Sequence, residues 1–213
     1  MIVESLAGIV EAAIAVGTRD CSILPPDVLS LHSYSSPKIR HFFKTLCTFP
    51  DCSYLEGGCF LGGTTISAAY DNPGKFMALD DYSYHEDVSK ARTRLPARLE
   101  RYKDHCTIEF IEGDLWNTVE KLPDDSVNVW FYDAGHTEAE TAYAFVKPKR
   151  ILQSPCIVVV DDYRWPKVRK GVAVGLKLGG WTVHRQWEME SPGIKNGGRE
   201  GWWNGLWIGV LTK

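Results

Sequence analysis

Three carboxylates close apolar runs that read as β-strands: Asp80 ends KFMALD, Asp133 ends VNVWFYD, and Asp161 ends CIVVVDD with Asp162 beside it. An aspartate after a strand is often only a turn or capping residue, so none is diagnostic alone. In an open α/β sheet, however, ligands sit outside the carboxyl ends of the strands, where strand order reverses. Three acids at one sheet edge therefore converge on a ligand position. A glycine-rich loop, Y-L-E-G-G-C-F-L-G-G-T-T, follows the first strand over residues 54–65. Gly57, Gly62 and Thr64 supply the frame of a G-x-x-x-x-G-K-[ST] phosphate loop, but residue 63 is Gly. Without that Lys the β- and γ-phosphates lose their cation, which excludes a nucleoside triphosphatase. The dinucleotide pattern G-x-G-x-x-G fails as well, because Cys59 stands at its second glycine. What remains is E-x-G-x-x-x-G: Glu56, Gly58 and Gly62.

The elements that must hold these residues alternate. Strand-like runs at 52–57, 75–80, 106–113, 127–133 and 156–162 are separated by helical segments at about 63–71, 86–102, 137–152 and 167–178. Thr137 can cap the third of these helices, with Glu138 and Glu140 in its first turn. Such alternation means parallel strands joined by right-handed crossovers. The run IVVVD is apolar on both faces, as a covered central strand should be. After residue 180 the alternation stops. Runs at 181–188 and 202–212 read as two strands joined by a Gly-, Pro- and charge-rich loop, a hairpin that puts an antiparallel strand at the end of the sheet. The fold class is α/β: a Rossmann-like, doubly wound, mostly parallel seven-stranded sheet with a C-terminal antiparallel hairpin strand. Upstream, Ile2, Leu6, Ile9, Val10, Ala13 and Ile14 give an amphipathic opening helix. The stretch 17–36 reads as loop, with Pro25-Pro26 barring a helix, and Ser35 or Ser36 before Pro37 starts a helix that runs to about Cys47.

The loop E-G-G-C-F-L-G resembles motif I of class I S-adenosylmethionine (SAM) dependent methyltransferases, and the resemblance continues in order over residues 50–180. FIEGDLW, VNVWFYDAGHTEAET and CIVVVDDYRW resemble the later motifs of the methyltransferase 24 group, which is similar to the macrocin-type sugar O-methyltransferases. The resemblance implies a SAM-binding domain over 51–213, with an N-terminal helical segment, 1–50, packing on or capping it. It implies cofactor contacts from Glu56, Gly57, Gly58, Gly62 and Thr64 toward the methionine and ribose. Asp80 and Asp81 would meet the ribose hydroxyls, Gly113 and Asp114 the adenine, and Asp133 would lie beside the cofactor. Asp133, Asp161 and Asp162 match the positions that hold Mg²⁺ in metal-dependent relatives, and their oxygen-only character suits a hard cation. His136 matches the base of the sugar enzymes, with Asp133 as its catalytic companion; imidazole takes up protons near neutral pH. One departure is Ala134, where the family has Gly after the strand-ending Asp.

The implied reaction moves a methyl group from SAM to a hydroxyl of a small, sugar-like acceptor, with Mg²⁺ assistance. The competing readings are a non-catalytic SAM-binding module and a nitrogen or carboxyl methyltransferase that needs no metal. His136 could instead be structural, and Tyr82, Tyr163 and Trp165 could either stack on an acceptor or fill the core. Acceptor pockets are expected from about 17–36, 82–88 and 190–203, the last of these serving as a lid or as a plain hairpin loop.

Lys plus Arg number 24 against 27 Asp plus Glu, a net charge of −3, so no basic footprint for nucleic acid is visible. No apolar run is long enough for a membrane span. The opening segment lacks a basic start and is interrupted by Glu4 and Glu11, which is unlike a signal peptide and favours the cytoplasm. The six cysteines include no C-x-x-C pair, so free buried thiols are expected. Six of the eight tryptophans, Trp165 to Trp207, fall after residue 160; with the apolar opening helix they suggest a homodimer. Trp202 and Trp203, adjacent in the last expected strand, should face opposite ways.

Overall fold

The valine-rich runs that are apolar on both faces form the middle of a seven-stranded sheet. The computed structural model describes residues 1–19, 23–83, 88–190 and 200–213. Its strands are β1 (Ser53–Gly57), β2 (Lys75–Asp80), β3 (Ile108–Glu112), β4 (Val127–Tyr132), β5 (Leu152–Val160), β6 (Thr182–Met189) and β7 (Leu206–Thr212), in the order β3-β2-β1-β4-β5-β7-β6. The pairs from β3 to β5 are parallel, and β7 is antiparallel to both β5 and β6. Strand order reverses between β1 and β4, so the ligand position lies at their carboxyl ends.

The helices are α1 (Val3–Arg19), α2 (Pro26–Leu29), α3 (Pro37–Leu46), α4 (Gly63–Ala69), α5 (Val88–Arg101), α6 (Leu115–Val119), α7 (Glu138–Val146) and α8 (Pro166–Gly179). One sheet face is covered by α1 and α3: Leu6, Val10, Phe42 and Phe43 share a core with Phe131, Val159, Ile208 and Val210. The other is covered by α7 and α8, which approach closely at Gly171, where a Cβ would lie 2.5 Å from the Thr141 Cβ. Ser36 caps α3 by accepting from the Ile39 N–H at 3.4 Å, and the Thr137–Glu140 capping box opens α7.

The C-terminal hairpin closes the sheet as expected, with β7, buried along nearly its whole length, between β5 and β6, and the mostly exposed TVHRQWEM at the edge. Three expectations need correction. Pro25-Pro26 does not bar a helix: Pro25 is an extended N-cap and Pro26 occupies the first position of α2, where a missing N–H costs nothing. The helix expected over 137–152 stops at Val146, passes through a 3₁₀ turn at Lys147–Arg150 and gives way to β5. Trp202 and Trp203 precede β7 in a turn rather than alternating within it. Trp202 is buried with its ring 6.0 Å from Phe42, and Trp203 takes a φ of 51°.

Cys47, Cys52, Cys59 and Cys156 are buried free thiols and Cys106 is partly buried; Cys21 lies outside the described residues. So does most of the loop after β6, residues 191–199, on which the lid reading rested. Among the described residues no helix is long and apolar enough to cross a membrane.

Candidate functional site

The loop after β1 is shaped by hydrogen bonds across the switch point. The N–H groups of Gly58 and Cys59 both donate to the Leu79 carbonyl, at 2.9 and 3.1 Å. Gly58 has a φ of 92°, and a Cβ there would fall 2.1 Å from the Asp133 carbonyl oxygen. Only glycine serves at that point. Asp80 is fixed at both oxygens: Oδ2 accepts from the Phe60 N–H at 2.6 Å and Oδ1 from the Tyr82 N–H at 2.7 Å.

Glu56 is 1% exposed and still lines the cavity. Its Oε2 accepts from Tyr54 OH at 2.7 Å and Thr65 Oγ1 at 2.5 Å. Burial pushes its carboxyl up to about 7, against the opposing effect of these two hydrogen bonds.

The cavity measures about 520 Å³ and is continuous, within the range of small-molecule sites. Glu56, Gly58, Thr64, Asp80, Asp81, Gly113 and Asp114 lie on its wall. Gly57 and Gly62 stand behind the wall. Gly57 packs against Leu115 and Trp130, and Gly62, with a φ of 71°, starts α4. Asp114 also caps α6, accepting from the Asn117 N–H at 2.8 Å. Leu115 and Trp116 beside it also line the cavity, which the sequence reading missed; the D-L-W triplet was the only signal.

At the other end β4 and β5 deliver Asp133, Asp161 and Asp162, with His136 on the turn after β4. His136 Nε2 lies 3.3 Å from Asp162 Oδ2 and 3.7 Å from Asp133 Oδ1, and the ring stands edge-on to Trp165 at 5.2 Å. Asp162 Oδ1 accepts from Asn204 Nδ2 at 2.7 Å. Asp161 is 5% exposed, and its Oδ1 has no hydrogen-bond partner among the described residues. All three carboxyls are pushed above the usual aspartate range, by burial first. Repulsion from the neighbouring acids adds to this for Asp133 and Asp161, whereas His136 opposes it at Asp162.

Of the three aromatics weighed as acceptor platforms, only Trp165 lines the cavity. Tyr82 is fully buried beside Cys59 and Leu95, and Tyr163 is buried with its OH donating to Glu188 at 3.0 Å. Of the expected acceptor segments, Ser33, Tyr34, Ser83 and Trp203 reach the wall. Ser33 and Tyr34 are held there by Arg40, 2% exposed, which no local sequence pattern announces. Its guanidinium donates to the Val28, Leu29 and Leu31 carbonyls and to the Ser33 and Ser35 hydroxyls, at 2.5 to 3.1 Å. Arg98 ties the same strap to the glycine loop through the carbonyls of His32 and Leu61. Tyr34 then stacks on Phe60 at 5.1 Å.

A doubly wound sheet with this glycine loop, strand-end acids and cavity at the switch point defines a class I SAM-dependent methyltransferase. A family model described as a methyltransferase domain matches residues 55–163, and the chain belongs to that family. No curated protein sequence matches the chain. Among solved structures it is similar to an O-methyltransferase from Bacillus cereus in complex with S-adenosylhomocysteine (SAH). That pair shares 16% identity with a TM-score of 0.64, over 96% of this chain and 100% of the other. It is also similar to the O-methyltransferase TomG from Streptomyces achromogenes, involved in tomaymycin synthesis, in complex with SAM. Here identity is 16% and the TM-score 0.59, over 96% of this chain and 90% of that one. A putative O-methyltransferase from Klebsiella pneumoniae shares 18% identity at a TM-score of 0.58, over 96% and 90% of the two chains. At these identities the likeness establishes the fold.

Proposed function

We propose that the protein moves the methyl group of SAM to a hydroxyl of a small, sugar-like acceptor. The observation that carries this reading is the cavity that joins the wall from Glu56 to Trp116 to a histidine set among three aspartates. In the first half Glu56 takes the cofactor's ammonium, Asp80 its ribose hydroxyls and Asp114 the adenine amine, with Leu115 and Trp116 flanking the base. Gly58 lets the backbone approach the ligand. Residues 1–50 serve the SAM-binding part, 51–213, by covering one sheet face and supplying the Ser33–Tyr34 wall.

In the second half the acceptor oxygen attacks the methyl carbon in line with the sulfur. The O–CH₃ bond forms as the S–CH₃ bond breaks, and the sulfonium leaves as a neutral thioether, so no leaving-group acid is needed. The hydroxyl proton goes to His136 Nε2, and the Asp162 carboxylate 3.3 Å away steadies the imidazolium. A placed base of this kind contributes about 10²–10⁴-fold. Trp165, edge-on to the His136 ring, keeps the ring in place.

Among the described residues no three His, Cys, Asp or Glu side chains are already arranged as a metal site. The donor chemistry nevertheless suits a hard cation. Asp161 carries a buried orphan oxygen, and Asp133 and Asp161 are crowded by like charge that a cation would relieve. Asp133, Asp161 and Asp162 are therefore the residues that would hold Mg²⁺. Bound there, the ion would lower the acceptor hydroxyl's pKa.

The test is transfer of labelled methyl from SAM to a panel of glycosides, with wild type and with His136→Gln, before and after EDTA. Transfer to hydroxyl oxygen that falls at least a hundredfold in the variant supports the assignment. Transfer to nitrogen or carboxyl groups, or transfer unchanged in the variant, overturns it. Mg²⁺ restoring an EDTA-stripped enzyme supports the metal assignment, and full activity after EDTA removes it.

A further inference from the structure

Two turns meet at the His136 end of the cavity, and each holds a residue in an uncommon conformation. After β5, Asp162 takes a φ of 54°; before β7, Trp203 takes 51° and Gly205 takes 90°. Aspartate visits that region readily, but a bulky aromatic seldom does, and such a residue persists only where its surroundings hold it. Here the turns hold each other. The Tyr163 N–H donates to the Gly205 carbonyl at 3.1 Å and the Arg164 N–H to the Asn204 carbonyl at 2.9 Å. Within the turns, the Trp165 N–H reaches the Asp162 carbonyl at 2.9 Å and the Gly205 N–H the Trp202 carbonyl at 2.8 Å. Trp202, buried against Phe42, anchors the second turn in the core.

These turns bring to the cavity wall a side chain that takes no part in the transfer itself. Asn204 lines the wall, and its Nδ2 donates to Asp162 Oδ1 at 2.7 Å. The amide nitrogen must face this way, because an ionised carboxylate only accepts. The other oxygen, Asp162 Oδ2, stands 3.3 Å from His136 Nε2, which makes no hydrogen bond to any described residue. His136 and Lys167 also act on this carboxylate, by charge; the Lys167 ammonium lies over the Trp165 ring at 5.1 Å. Charge draws a group near without turning it. A hydrogen bond to one oxygen is directional, and so fixes where the other oxygen lies. At 6% exposure, Asp162 has little water to take the amide's place.

We propose that Asn204 is a positioning residue for methyl transfer: by holding Asp162 Oδ1 it keeps Oδ2 facing His136 Nε2, the atom that receives the acceptor's proton. Asn204 touches none of the reacting atoms in this role and moves no proton. The proposal rests on the reading of His136 as the base.

The experiment has two readouts, and the first needs no acceptor. In SAH-saturated protein with labelled imidazoles, kept in EDTA at one pH, the His136 ring resonance is identified by its loss in His136→Gln. Asn204→Ala should shift that resonance and leave the other histidines in place. The same change made on an Asp162→Ala background should add nothing, because its route to the ring is gone. The second readout is methyl transfer from SAM to a glycoside hydroxyl. Asn204→Ala should lower kcat about tenfold with the glycoside KM nearly unchanged, with SAH affinity unchanged, and with no further loss on the Asp162→Ala background. Asn204→Asp keeps the size and loses the donor, so it should lose at least as much and separates the hydrogen bond from packing. A His136 resonance that stays put in both Asn204 variants overturns the proposal. So does a kcat loss that recurs in full on the Asp162→Ala background or that follows a loss of SAH affinity. Transfer that falls in His136→Gln but not in either Asn204 variant removes the proposal alone. Transfer unchanged in His136→Gln removes the base reading, and the proposal with it.

Discussion

Glu56→Gln should make the ligand-free protein more stable above neutral pH while weakening cofactor binding. Wild-type Glu56 is buried against Tyr54 and Thr65, and burial raises its carboxyl from 4.5 to about 7. Between those two values the folded chain keeps a proton that the unfolded chain has released. Stability therefore falls as pH rises through that window, and the loss is complete just above 7. At about 1.36 kcal/mol per pH unit the loss is on the order of 3 kcal/mol. Gln keeps an acceptor oxygen for both hydroxyls and does not titrate, so the variant escapes the loss. At about 2–4 °C per kcal/mol for a chain of this size, its melting temperature at pH 8 should exceed wild type by roughly 6–12 °C. At pH 4.5 the two should coincide. The assay is thermal melting of nucleoside-free protein at half-unit steps of pH. An equal gap at every pH, or a less stable variant at pH 8, would refute the reasoning. The same carboxyl should ionise when it meets the SAH ammonium. Wild-type binding near pH 6.5 should then release a proton, and the binding heat should vary with the buffer's ionisation enthalpy. Gln should abolish that dependence and weaken binding at least tenfold.

Other perturbations address other parts of the site. His136→Gln should lower methyl-transfer kcat by about 10²–10⁴-fold with the SAH dissociation constant unchanged, measured by labelled-methyl transfer and calorimetry. Gly58→Ala places a Cβ 2.1 Å from the Asp133 carbonyl oxygen and forces a residue at φ 92°; SAH binding should be lost and the melting temperature should drop by several degrees. Arg40→Met removes the guanidinium donor from the Leu29 and Leu31 carbonyls, while the Val28 carbonyl keeps the Leu31 N–H at 3.2 Å. At about 1–3 kcal/mol for each group left unsatisfied, urea denaturation should show several kcal/mol of lost stability, and proteolysis should open the 28–35 strap first.

Most of the scaffold was legible because it is written in short-range patterns. The doubly apolar CIVVV had to be a covered strand, Thr137 with Glu140 had to open a helix, and the glycine spacing after β1 admitted no phosphate loop. What stayed hidden depends on contacts far apart in the chain. Nothing near Arg40 shows that its guanidinium will gather the carbonyls of Val28, Leu29 and Leu31. Nothing in LWIGVLT shows that it will insert beside β5 until its burial is set against the polar TVHRQWEM. Tyr82 and Trp165 both follow strands in the sequence, yet one is sealed under α5 residues and the other opens on the cavity, a distinction made only by packing. The strand-end acids were found individually. The separation that pairs His136 with Asp162 more closely than with Asp133 was not, because the turn geometry between β4 and α7 sets it.

The central claim is that the switch-point cavity is a SAM site, and titration of the purified protein with SAH tests it most directly. Binding in the micromolar range that is lost in Asp80→Ala, whose carboxylate is held by the Phe60 and Tyr82 N–H groups, is the predicted result. Failure of SAH to bind the folded wild-type protein would contradict the account.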